Sequence, residues 1–368
     1  MKHNKNIEMR VLYICHGDFR FLSRAKKQVD ALVENGYEVE VLNYLFRTDI
    51  DYNALKYNIR KVIIPQNKCS VMNIYYLFIY NLQVEKFYPK DCGVIICREL
   101  SVLLSGVLMK RKTRAKLIYD SNELSVETFF GFRKVFWRIF ESILIRNVDK
   151  IIHANKYRLE YFVKKYKLSK ENNFVVENFA SYFPLPLRDN TLNEKLKVIY
   201  FGAIGDRRNI EDLVLAAGSI DEMDLDLIGF GSNEFLNKIK NIIELNRIVN
   251  VNIKDAIDES LLPSILKDYH IGIAFYPNVE LNNWYCASNK VWQYLQGGLS
   301  IIATNNPPIT DIVDTYNVGV CLNTIDIKNI KLALSLSIKN KLWENLTEEF
   351  RMNYSWESHK ADFLEVLK

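Results

Sequence analysis

The sequence predicts an α/β protein made of two doubly wound, Rossmann-like domains. Short apolar, β-branched runs alternate with segments of helical period from one end of the chain to the other. These runs are apolar on both faces, which is typical of parallel sheets covered by helices on both sides. The alternation stops once, at residues 179–195, and then restarts. Two successive βα arrays therefore predict two domains that face each other across a cleft.

The first array predicts an N-terminal domain over residues 1–178. Its strands are predicted at 9–16, 38–44, 59–65, 93–98, 115–121, 149–155 and 173–178. Residues 179–195 contain two prolines and no periodicity, so we expect a linker there. The second domain, 196–354, has predicted strands at 197–204, 224–230, 249–253, 270–276, 300–304 and 318–322. A last helix, 355–368, is expected to cross back to the first domain.

Size and composition narrow the class of protein. A chain of 368 residues is long for one core, and a net charge of +5 from 49 basic and 44 acidic residues does not argue for nucleic acid. It suits anionic ligands or an anionic membrane surface. The six cysteines form no C-x-x-C pair, so we expect buried thiols in a reducing cytoplasm. No apolar run reaches transmembrane length, which predicts a cytoplasmic protein, peripheral at most.

Residues 285–304, YCASNKVWQYLQGGLSIIAT, carry the most informative pattern: a loop, a short helix, a Gly-Gly stop and a buried strand. Ser288 is the expected N-cap, followed by Asn289, Lys290 and Gln293. A helix start presents unpaired N–H groups and the positive end of a dipole, which suits an anion. Lys290 adds a positive charge, and Gln293 lies one turn further on. A nucleotide diphosphate matches this arrangement, with its phosphates at the helix start and a hydroxyl-bearing group beyond them.

A second phosphate-binding element is expected after strand 197–204. Gly202 precedes a strand-to-helix turn that carries Arg207 and Arg208. Backbone N–H groups and guanidinium forks in such a turn can bind phosphate oxygens. The alternative is a solvated loop, which charged pairs usually form.

Several segments, in order, resemble the retaining enzymes of glycosyltransferase family 4, which have the GT-B fold. They are VLYICHGDFRFLSRAKKQVDALVENGYEVEVL, IYDSNEL, ESILIRNVDKIIHAN, VIYFGAIGDRRNIEDLVLA and SNKVWQYLQGGLSIIAT. The resemblance covers most of the chain, and the last segment is the most specific. It implies a nucleotide-sugar donor on the second domain, an acceptor on the first, and chemistry that needs neither a metal nor a cofactor.

The resemblance also assigns donor-binding positions at which this chain departs from the family. Gln293 stands at the second glutamate of the family's Glu-(seven residues)-Glu motif, and Tyr285 stands at the first. In the family the second carboxylate holds the ribose hydroxyls, and a glutamine carbonyl can accept one such hydrogen bond. Glu280 could substitute from the same loop, although an exposed loop acid is the simpler interpretation.

The catalytic set implied by the resemblance is Asp120, Asn122 and Glu123, in the segment YDSNEL. Asn122 stands where the family has its catalytic histidine; it can orient a hydroxyl but cannot transfer a proton. Glu123 could polarise an acceptor hydroxyl or cap the next helix. Gly17, after the first strand, would let the backbone approach the donor from the opposite wall of the cleft, or is an ordinary turn glycine.

Two basic features predict contact with a membrane. Five basic residues lie between 110 and 116, in an expected loop, and a basic amphipathic helix follows over about 129–145. We expect its apolar stripe, formed by Phe136, Trp137, Phe140 and Leu144, to pack on the sheet. The basic loop is expected to touch anionic lipid, which fits a lipid-linked acceptor.

These observations predict a retaining glycosyltransferase that moves a hexosyl unit from a nucleotide diphosphate sugar to a glycan or lipid-linked acceptor, in bacterial surface polysaccharide or glycoconjugate synthesis. The alternative is an inactive GT-B subunit that binds glycan or nucleotide and supports a partner enzyme, because Asn122, Tyr285 and Gln293 depart from the motif. An epimerase of the same architecture would need more acids and histidines. Asp224-Leu225-Asp226 imitates a metal-binding Asp-x-Asp but begins an apolar strand, so we expect no metal there.

Overall fold

The computed structural model describes residues 9–46, 49–53, 55–68, 70–185, 195–258, 261–276, 279–286 and 288–368. The chain forms two compact units. Unit 1 comprises Met1–Glu177 and His359–Lys368, and unit 2 comprises Asn178–Ser358. The chain thus changes unit at the start of the segment expected as a linker, of which residues 186–194 lie outside the described part. The end of the last helix belongs to unit 1.

Unit 1 is built on a seven-stranded parallel sheet. Its strands are β1 (Arg10–His16), β2 (Glu38–Leu45), β3 (Ile59–Ile63), β4 (Val94–Arg98), β5 (Lys116–Ser121), β6 (Lys150–His153) and β7 (Asn173–Val175). They lie in the order β3-β2-β1-β4-β5-β6-β7. The central strands are buried along most of their length, as the continuous apolar runs predict.

Helices connect these strands. They are α1 (Ser23–Glu34), α2 (Ser70–Leu82), α3 (Val84–Phe87), α4 (Leu103–Thr113), α5 (Gly131–Leu144) and α6 (Lys156–Tyr166). Asn155 caps α6, because its side chain accepts a hydrogen bond from the Arg158 backbone N–H at 2.9 Å.

Unit 2 is built on a six-stranded parallel sheet. Its strands are β8 (Leu196–Ala203), β9 (Met223–Phe230), β10 (Val251–Asp255), β11 (Ile271–Ala274), β12 (Ser300–Thr304) and β13 (Gly319–Leu322), in the order β10-β9-β8-β11-β12-β13. Its helices are α7 (Ile210–Ala217), α8 (Asn233–Leu245), α9 (Leu262–Leu266), α10 (Leu281–Trp284), α11 (Asn289–Gln296), α12 (Pro307–Tyr316), α13 (Ile327–Asn340) and α14 (Glu348–Asn353). The last helix, α15 (Trp356–Leu367), begins in unit 2 and ends in unit 1.

The strand orders confirm the predicted fold class of two doubly wound, parallel α/β domains. In each sheet the chain starts near the middle, winds outwards to one edge, and returns to wind towards the other edge. The order reverses between β1 and β4 in unit 1 and between β8 and β11 in unit 2. In doubly wound sheets, ligands bind beyond the carboxyl ends of the strands at this reversal. Ligand-binding sites are therefore expected at these two places.

The basic cluster at residues 110–116 is not the loop that we expected. Lys110 and Lys112 lie in the last turn of α4, and Lys116 begins β5. Lys110 pairs with Asp149 at 2.6 Å, and Lys112 pairs with Glu85 at 3.2 Å. Only Arg111 and Arg114 of the five are exposed without an acidic partner among the described residues.

Helix α5 also differs from the expectation that its apolar stripe packs on the sheet. Leu144 is buried, but Phe136 is 52% exposed. A second apolar stripe on α5 faces solvent, together with one on α2. The exposed apolar surface consists of Phe132, Val135, Phe136, Ile139 and Ile143 of α5 and Val71, Tyr75, Phe78 and Leu82 of α2.

The two helices lie side by side, since the rings of Phe78 and Phe140 are 6.2 Å apart. A monomeric soluble protein rarely exposes so continuous an apolar face. Within the described residues no helix combines the length and the apolar character that crossing a bilayer requires.

Candidate functional site

Helix α11 is held tightly against the sheet of unit 2, so its first turn has a fixed position. Gly272 of β11 has no side chain, and a Cβ atom there would stand 2.4 Å from the Tyr294 ring. The buried Tyr294 hydroxyl accepts a hydrogen bond from the Phe201 backbone N–H of β8 at 2.9 Å. Close packing and this hydrogen bond place the start of α11 beside the carboxyl end of β8.

Gly202 and Lys290 meet at that point. Gly202 has a φ of +123°, which non-glycine residues rarely adopt. A Cβ atom at position 202 would overlap the Lys290 ammonium and would stand 2.7 Å from its Cε. The absence of a side chain at Gly202 thus creates the space that the Lys290 ammonium fills.

Lys290 is a charge without a counter-charge. Its Nζ lies 5.1 Å from the centre of the Tyr200 ring, and within the described ranges no carboxylate pairs with it. Burial, and then the neighbouring Arg208 cation, lower the pKa of Lys290 to about 8. An anion bound at this point would restore the charge balance and raise that pKa.

Arg208 supplies the second cation. It lies in the short 3-10 helix Asp206–Arg208 between β8 and α7. Its NH1 group donates to the Phe275 carbonyl at 3.0 Å, and its guanidinium carbon lies 4.7 Å from the centre of the Tyr276 ring. It too has no acidic partner within the described part of the chain. Arg207, by contrast, is exposed.

The start of α11 faces the same region. Ser288 has the extended backbone of an N-cap, but its side chain makes no capping hydrogen bond. The Asn289 Oδ1 atom is buried and has no hydrogen-bond partner among the described groups. A buried acceptor and an uncapped helix start are expected where a ligand completes the hydrogen bonding.

Gln293 and Tyr285 are half-buried, and Glu280 precedes α10 as its N-terminal flanking residue. Asn306, at the start of α12, donates to the Asn283 carbonyl at 2.6 Å and so fixes α10. The sequence pattern does not indicate a role for the aromatic residues Tyr200 and Tyr276, which contact the two cations. Tyr200 lies inside the apolar run 197–204 and Tyr276 ends the run 270–276, and a tyrosine in such a run looks like part of the core.

The structure therefore brings together Gly202, Arg208 and Lys290 beside the start of α11, at the strand-order reversal of unit 2. Two unpaired cations and a helix N-terminus can bind a diphosphate, whose charge they would neutralise. Arg207 is exposed, and Gly17 lies in the other unit.

In unit 1 the predicted catalytic residues separate into different environments. The Asp120 side chain is 0% exposed. Arg24 donates to both of its carboxylate oxygens at 2.9 Å, and Gln28 donates to Oδ2 at 2.9 Å. Both oxygens are thus occupied by internal hydrogen bonds. Such contacts are typical of a structural carboxylate, and a catalytic role of Asp120 stays a prediction.

Asn122 and Glu123 are placed differently. Asn122 is half-buried, and its backbone carbonyl accepts a hydrogen bond from Arg158. Glu123 is exposed and lines a cavity at the carboxyl edge of the sheet. Leu124 directly precedes the following 3-10 helix, Ser125–Thr128, and its side chain makes no capping hydrogen bond.

Gly17 forms the turn after β1. Its φ is +104°, and its N–H donates to the Tyr44 carbonyl at 3.0 Å. The neighbouring His16 is half-buried, and its loss of solvent, followed by the nearby Arg98 cation, lowers the pKa of His16 to about 4. His16 is therefore neutral at physiological pH. A second strand end nearby, that of β4, carries Glu99, which the sequence analysis missed.

Asp226, the second aspartate of the Asp-x-Asp sequence, is hydrogen-bonded by neighbouring side chains. Its carboxylate accepts from Lys254 and Tyr269 at 2.6 Å and from Asn252 at 3.0 Å. Across the described ranges, no group of three or more histidine, cysteine, aspartate or glutamate residues has the arrangement of a metal site.

Comparison with known proteins identifies the fold. No protein-family profile matches the chain, and no curated protein matches it in sequence. Among solved structures, sucrose-phosphate synthase from Thermosynechococcus elongatus is similar with a TM-score of 0.75 at 13% identity, over 97% of this chain and 98% of that one. A glycosyltransferase from Rickettsia africae gives a TM-score of 0.70 at 14% identity, over 98% and 97%.

Anabaena HepE, in complex with UDP and glucose, gives a TM-score of 0.71 at 12% identity, over 98% of this chain and 99% of that one. These neighbours are glycosyltransferases of the GT-B fold, and the two parallel sheets of this chain share that fold along nearly its whole length. At such low identity the likeness establishes the fold alone.

Proposed function

We propose that this chain is a glycosyltransferase that takes a hexosyl unit from a nucleotide diphosphate sugar. The observation that carries the proposal is the Lys290 ammonium above Gly202, next to Arg208 and the start of α11. As the glycosidic bond breaks, the leaving diphosphate gains negative charge. Fixed cations directed at it stabilise the transition state more than the ground state, which is the requirement for catalysis.

The likeness to HepE supports a nucleotide-sugar donor, because that neighbour was solved with UDP and glucose. We assign the donor to unit 2, with the diphosphate at Lys290 and Arg208 and the ribose near Gln293. The retaining mechanism of family 4 is supported by the order of the motifs along the chain. Lys290 and Arg208 supply positive charge at the diphosphate, so we propose metal-independent chemistry.

The acceptor is assigned to unit 1 as a glycan or lipid-linked molecule. The exposed apolar surface of α2 and α5 supports a peripheral membrane location, because Arg133, Arg138 and Arg146 are exposed on or beside α5. An enzyme placed at the inner face of a bacterial membrane would act in the synthesis of surface polysaccharide or glycoconjugates.

A second candidate is a nucleotide-binding GT-B subunit without turnover. Two observations favour it: Asn122 cannot transfer a proton, and Asp120 is occupied by Arg24 and Gln28. This second candidate has the same diphosphate site in unit 2 but does not catalyse sugar transfer.

The test is a panel of nucleoside diphosphates and nucleotide sugars. Thermal-shift titration measures binding, since a ligand of the folded state raises its stability. Release of nucleoside diphosphate, with and without membrane extract as acceptor, measures turnover. We expect both in the wild type, neither in Lys290→Met, and both in Lys267→Met, which replaces an exposed lysine outside the site. Binding without turnover would establish the second candidate, and no binding to any nucleotide would exclude both.

A further inference from the structure

Unit 1 contains a cavity of about 460 Å³ at the carboxyl edge of its sheet. Strand β4 and helices α2 and α5 contribute to its lining. Part of its lining, called the apolar wall below, consists of Ile74 and Leu77 of α2, Leu100, Phe129, and Trp137 of α5. Phe129 and Trp137 stack with their ring centres 5.7 Å apart.

Another part of the lining is polar or charged. Arg98, Glu99, Glu123 and Ser125 line it. Carboxylates accept hydrogen bonds from hydroxyl groups, and a guanidinium donates to hydroxyl oxygens. The cavity therefore combines apolar side chains with charged hydrogen-bonding side chains, which matches a molecule with one apolar and one hydroxyl-bearing part.

Glu99 has an unusual backbone. Its φ of +75° and ψ of 157° lie outside the regions that non-glycine residues normally adopt. Its N–H donates to the Asp120 carbonyl at 3.1 Å, so the strained residue is fixed to the neighbouring strand end. Strain of this kind persists where the surrounding structure enforces it, and it is concentrated at functional sites.

The carboxylate of Glu99 is only partly satisfied. Its Oε2 accepts a hydrogen bond from the Ser125 hydroxyl at 3.0 Å. Its Oε1 is buried without a hydrogen bond within the described structure, and Arg98 NH2 is 3.9 Å away. A buried carboxylate oxygen without a donor requires a partner that the protein itself does not supply.

Glu99 lies at the place in the fold where doubly wound sheets bind ligands. It directly follows β4, which pairs with β1 at the strand-order reversal of unit 1. Arg98 of β4 stands beside Asp120 of β5, so Glu99 lies next to the segment that carries Asn122 and Glu123. Ligands of doubly wound sheets bind at this reversal.

Charge at Glu99 is sensitive to pH near neutrality. Burial raises the pKa of Glu99 to about 7, Arg98 opposes that rise, and Glu123 and Asp120 add to it. The carboxylate is therefore protonated at lower pH and ionised at higher pH within the physiological range.

We propose that this cavity binds an amphiphilic acceptor, with Glu99 Oε1 accepting a hydrogen bond from the acceptor hydroxyl and the wall of Leu77 and Trp137 holding its apolar part. The inference rests on the glycosyltransferase function proposed above and names its acceptor class. The same two helices, α2 and α5, line the cavity and carry the exposed apolar surface. An amphiphile at a membrane can thus reach the cavity along protein that is already apolar.

Binding can be measured without any donor. The probe is n-octyl β-glucoside below its micelle concentration, compared with glucose, by calorimetry and by tryptophan fluorescence. We expect octyl glucoside to bind and to change the fluorescence of the wild type, and Trp137→Phe to lose that change. Glucose alone is expected to bind at least ten-fold more weakly. Equal binding of the two probes, or no binding of octyl glucoside, overturns the amphiphile proposal.

Glu99→Gln tests the carboxylate. We expect octyl glucoside to bind about ten-fold more weakly to this variant than to the wild type at pH 8, because the amide accepts a weaker hydrogen bond. Wild-type affinity should rise with pH through about 7, and the variant should show no such rise. Equal affinities and equal pH profiles overturn the role of Glu99. Leu77→Asp tests the apolar wall in the same assay, with Leu245→Asp, an exposed leucine of unit 2, as its control.

The test of the acceptor cavity can fail independently of the test of the proposed function. Nucleotide binding, which is assigned to unit 2, is measured on the same protein with no acceptor present. Nucleotide binding with an empty cavity removes only the acceptor proposal, whereas a filled cavity with no nucleotide binding removes the transferase and leaves an amphiphile site.

Discussion

The Lys290 ammonium occupies the space that a side chain at Gly202 would need. One glycine at the end of β8 thus determines where a cation at the start of α11 can lie. Because Gly202 also has a φ of +123°, two independent constraints act on this position. The consequence is a region that contains positive charge and no neighbouring carboxylate among the residues described.

Replacing Gly202 with Ala should therefore displace Lys290 and weaken nucleoside diphosphate binding by about ten-fold or more, the loss of one good charged contact. The backbone strain should also cost about 1 kcal/mol or more of stability. Gly36→Ala is the matched control, because Gly36 also has a positive φ, of +83°, but lies in unit 1. Calorimetric titration with UDP measures the effect. Equal losses in both variants would mean that strain alone is responsible.

Lys290→Met should stabilise the ligand-free protein while it weakens nucleotide binding. The pKa of Lys290 is about 8 in the folded protein and 10.5 ordinarily, so the folded state holds this proton more weakly than the unfolded chain does. Below pH 8 the folded state therefore bears a penalty, on the order of 2 kcal/mol after allowance for solvent. The penalty fades as pH rises from about 8 to 10.5.

Unfolding free energies at pH 7 and pH 10.5 measure this penalty. Methionine should raise the value at pH 7 and have little effect at pH 10.5. UDP affinity of the wild type should fall as pH rises through 8, and that of the variant should stay low throughout. A variant less stable than the wild type at pH 7 would contradict the assignment of an uncompensated charge.

Arg208→Gln should weaken UDP binding by about ten-fold to a hundred-fold, whereas Arg207→Gln should change it by about three-fold at most. The Phe275 carbonyl and the Tyr276 ring hold Arg208 next to Lys290, but Arg207 projects from the same short helix into solvent. Titrating each variant with UDP distinguishes the two. Similar losses in both variants would show that ligand binding rearranges this turn.

The fold could be predicted from the sequence because the central strands of the sheets are apolar on both faces. All thirteen strands of the two sheets lie within or overlap the predicted runs, for example β1 in VLYICH and β12 in SIIAT. Burial on both sides forces such a run to be apolar, so the sequence records it directly. The expected loop at 110–116 was wrong because basic residues in the last turn of α4 suit the helix dipole.

The site was only partly predictable. Lys290 and Gly202 could be proposed because a helix start and a strand-end glycine have local signatures, but the sequence treated Arg207 and Arg208 alike. The roles of Asp120 and Glu99 depend on residues far away in the chain, such as Arg24, which is 96 positions before Asp120. Glu99 had one local signal, an acid directly after a buried strand, and nothing in the sequence indicates its positive φ.

Asp120→Asn should destabilise unit 1 by about 3–5 kcal/mol, because it leaves the buried Arg24 guanidinium without a counter-charge. Glu211→Gln breaks the ion pair between Glu211 and Lys238 at the surface and should cost less than about 1 kcal/mol. Urea unfolding measures both changes. Folded Asp120→Asn protein should retain UDP binding, which belongs to unit 2. A stable variant without transferase activity would show that Asp120 also serves catalysis.

The exposed apolar surface of α2 and α5 should bind anionic membranes. Phe132 is 83% exposed and Ile139 is 55% exposed, so serine at both positions removes apolar area without opening the core. Arg133 and Arg138 are exposed on the same helix and would lie at the level of the lipid headgroups.

We expect the wild type to sediment with vesicles of phosphatidylglycerol and phosphatidylcholine, and less so as salt is raised, because salt screens the arginines. Phe132→Ser combined with Ile139→Ser should weaken binding by about ten-fold or more, in line with the apolar area lost. Leu245→Ser, at a position that is also 83% exposed but lies in unit 2, is the control and should bind as the wild type does. Undiminished binding of the double variant would mean that charge alone attracts the protein, and this apolar surface would then need another partner.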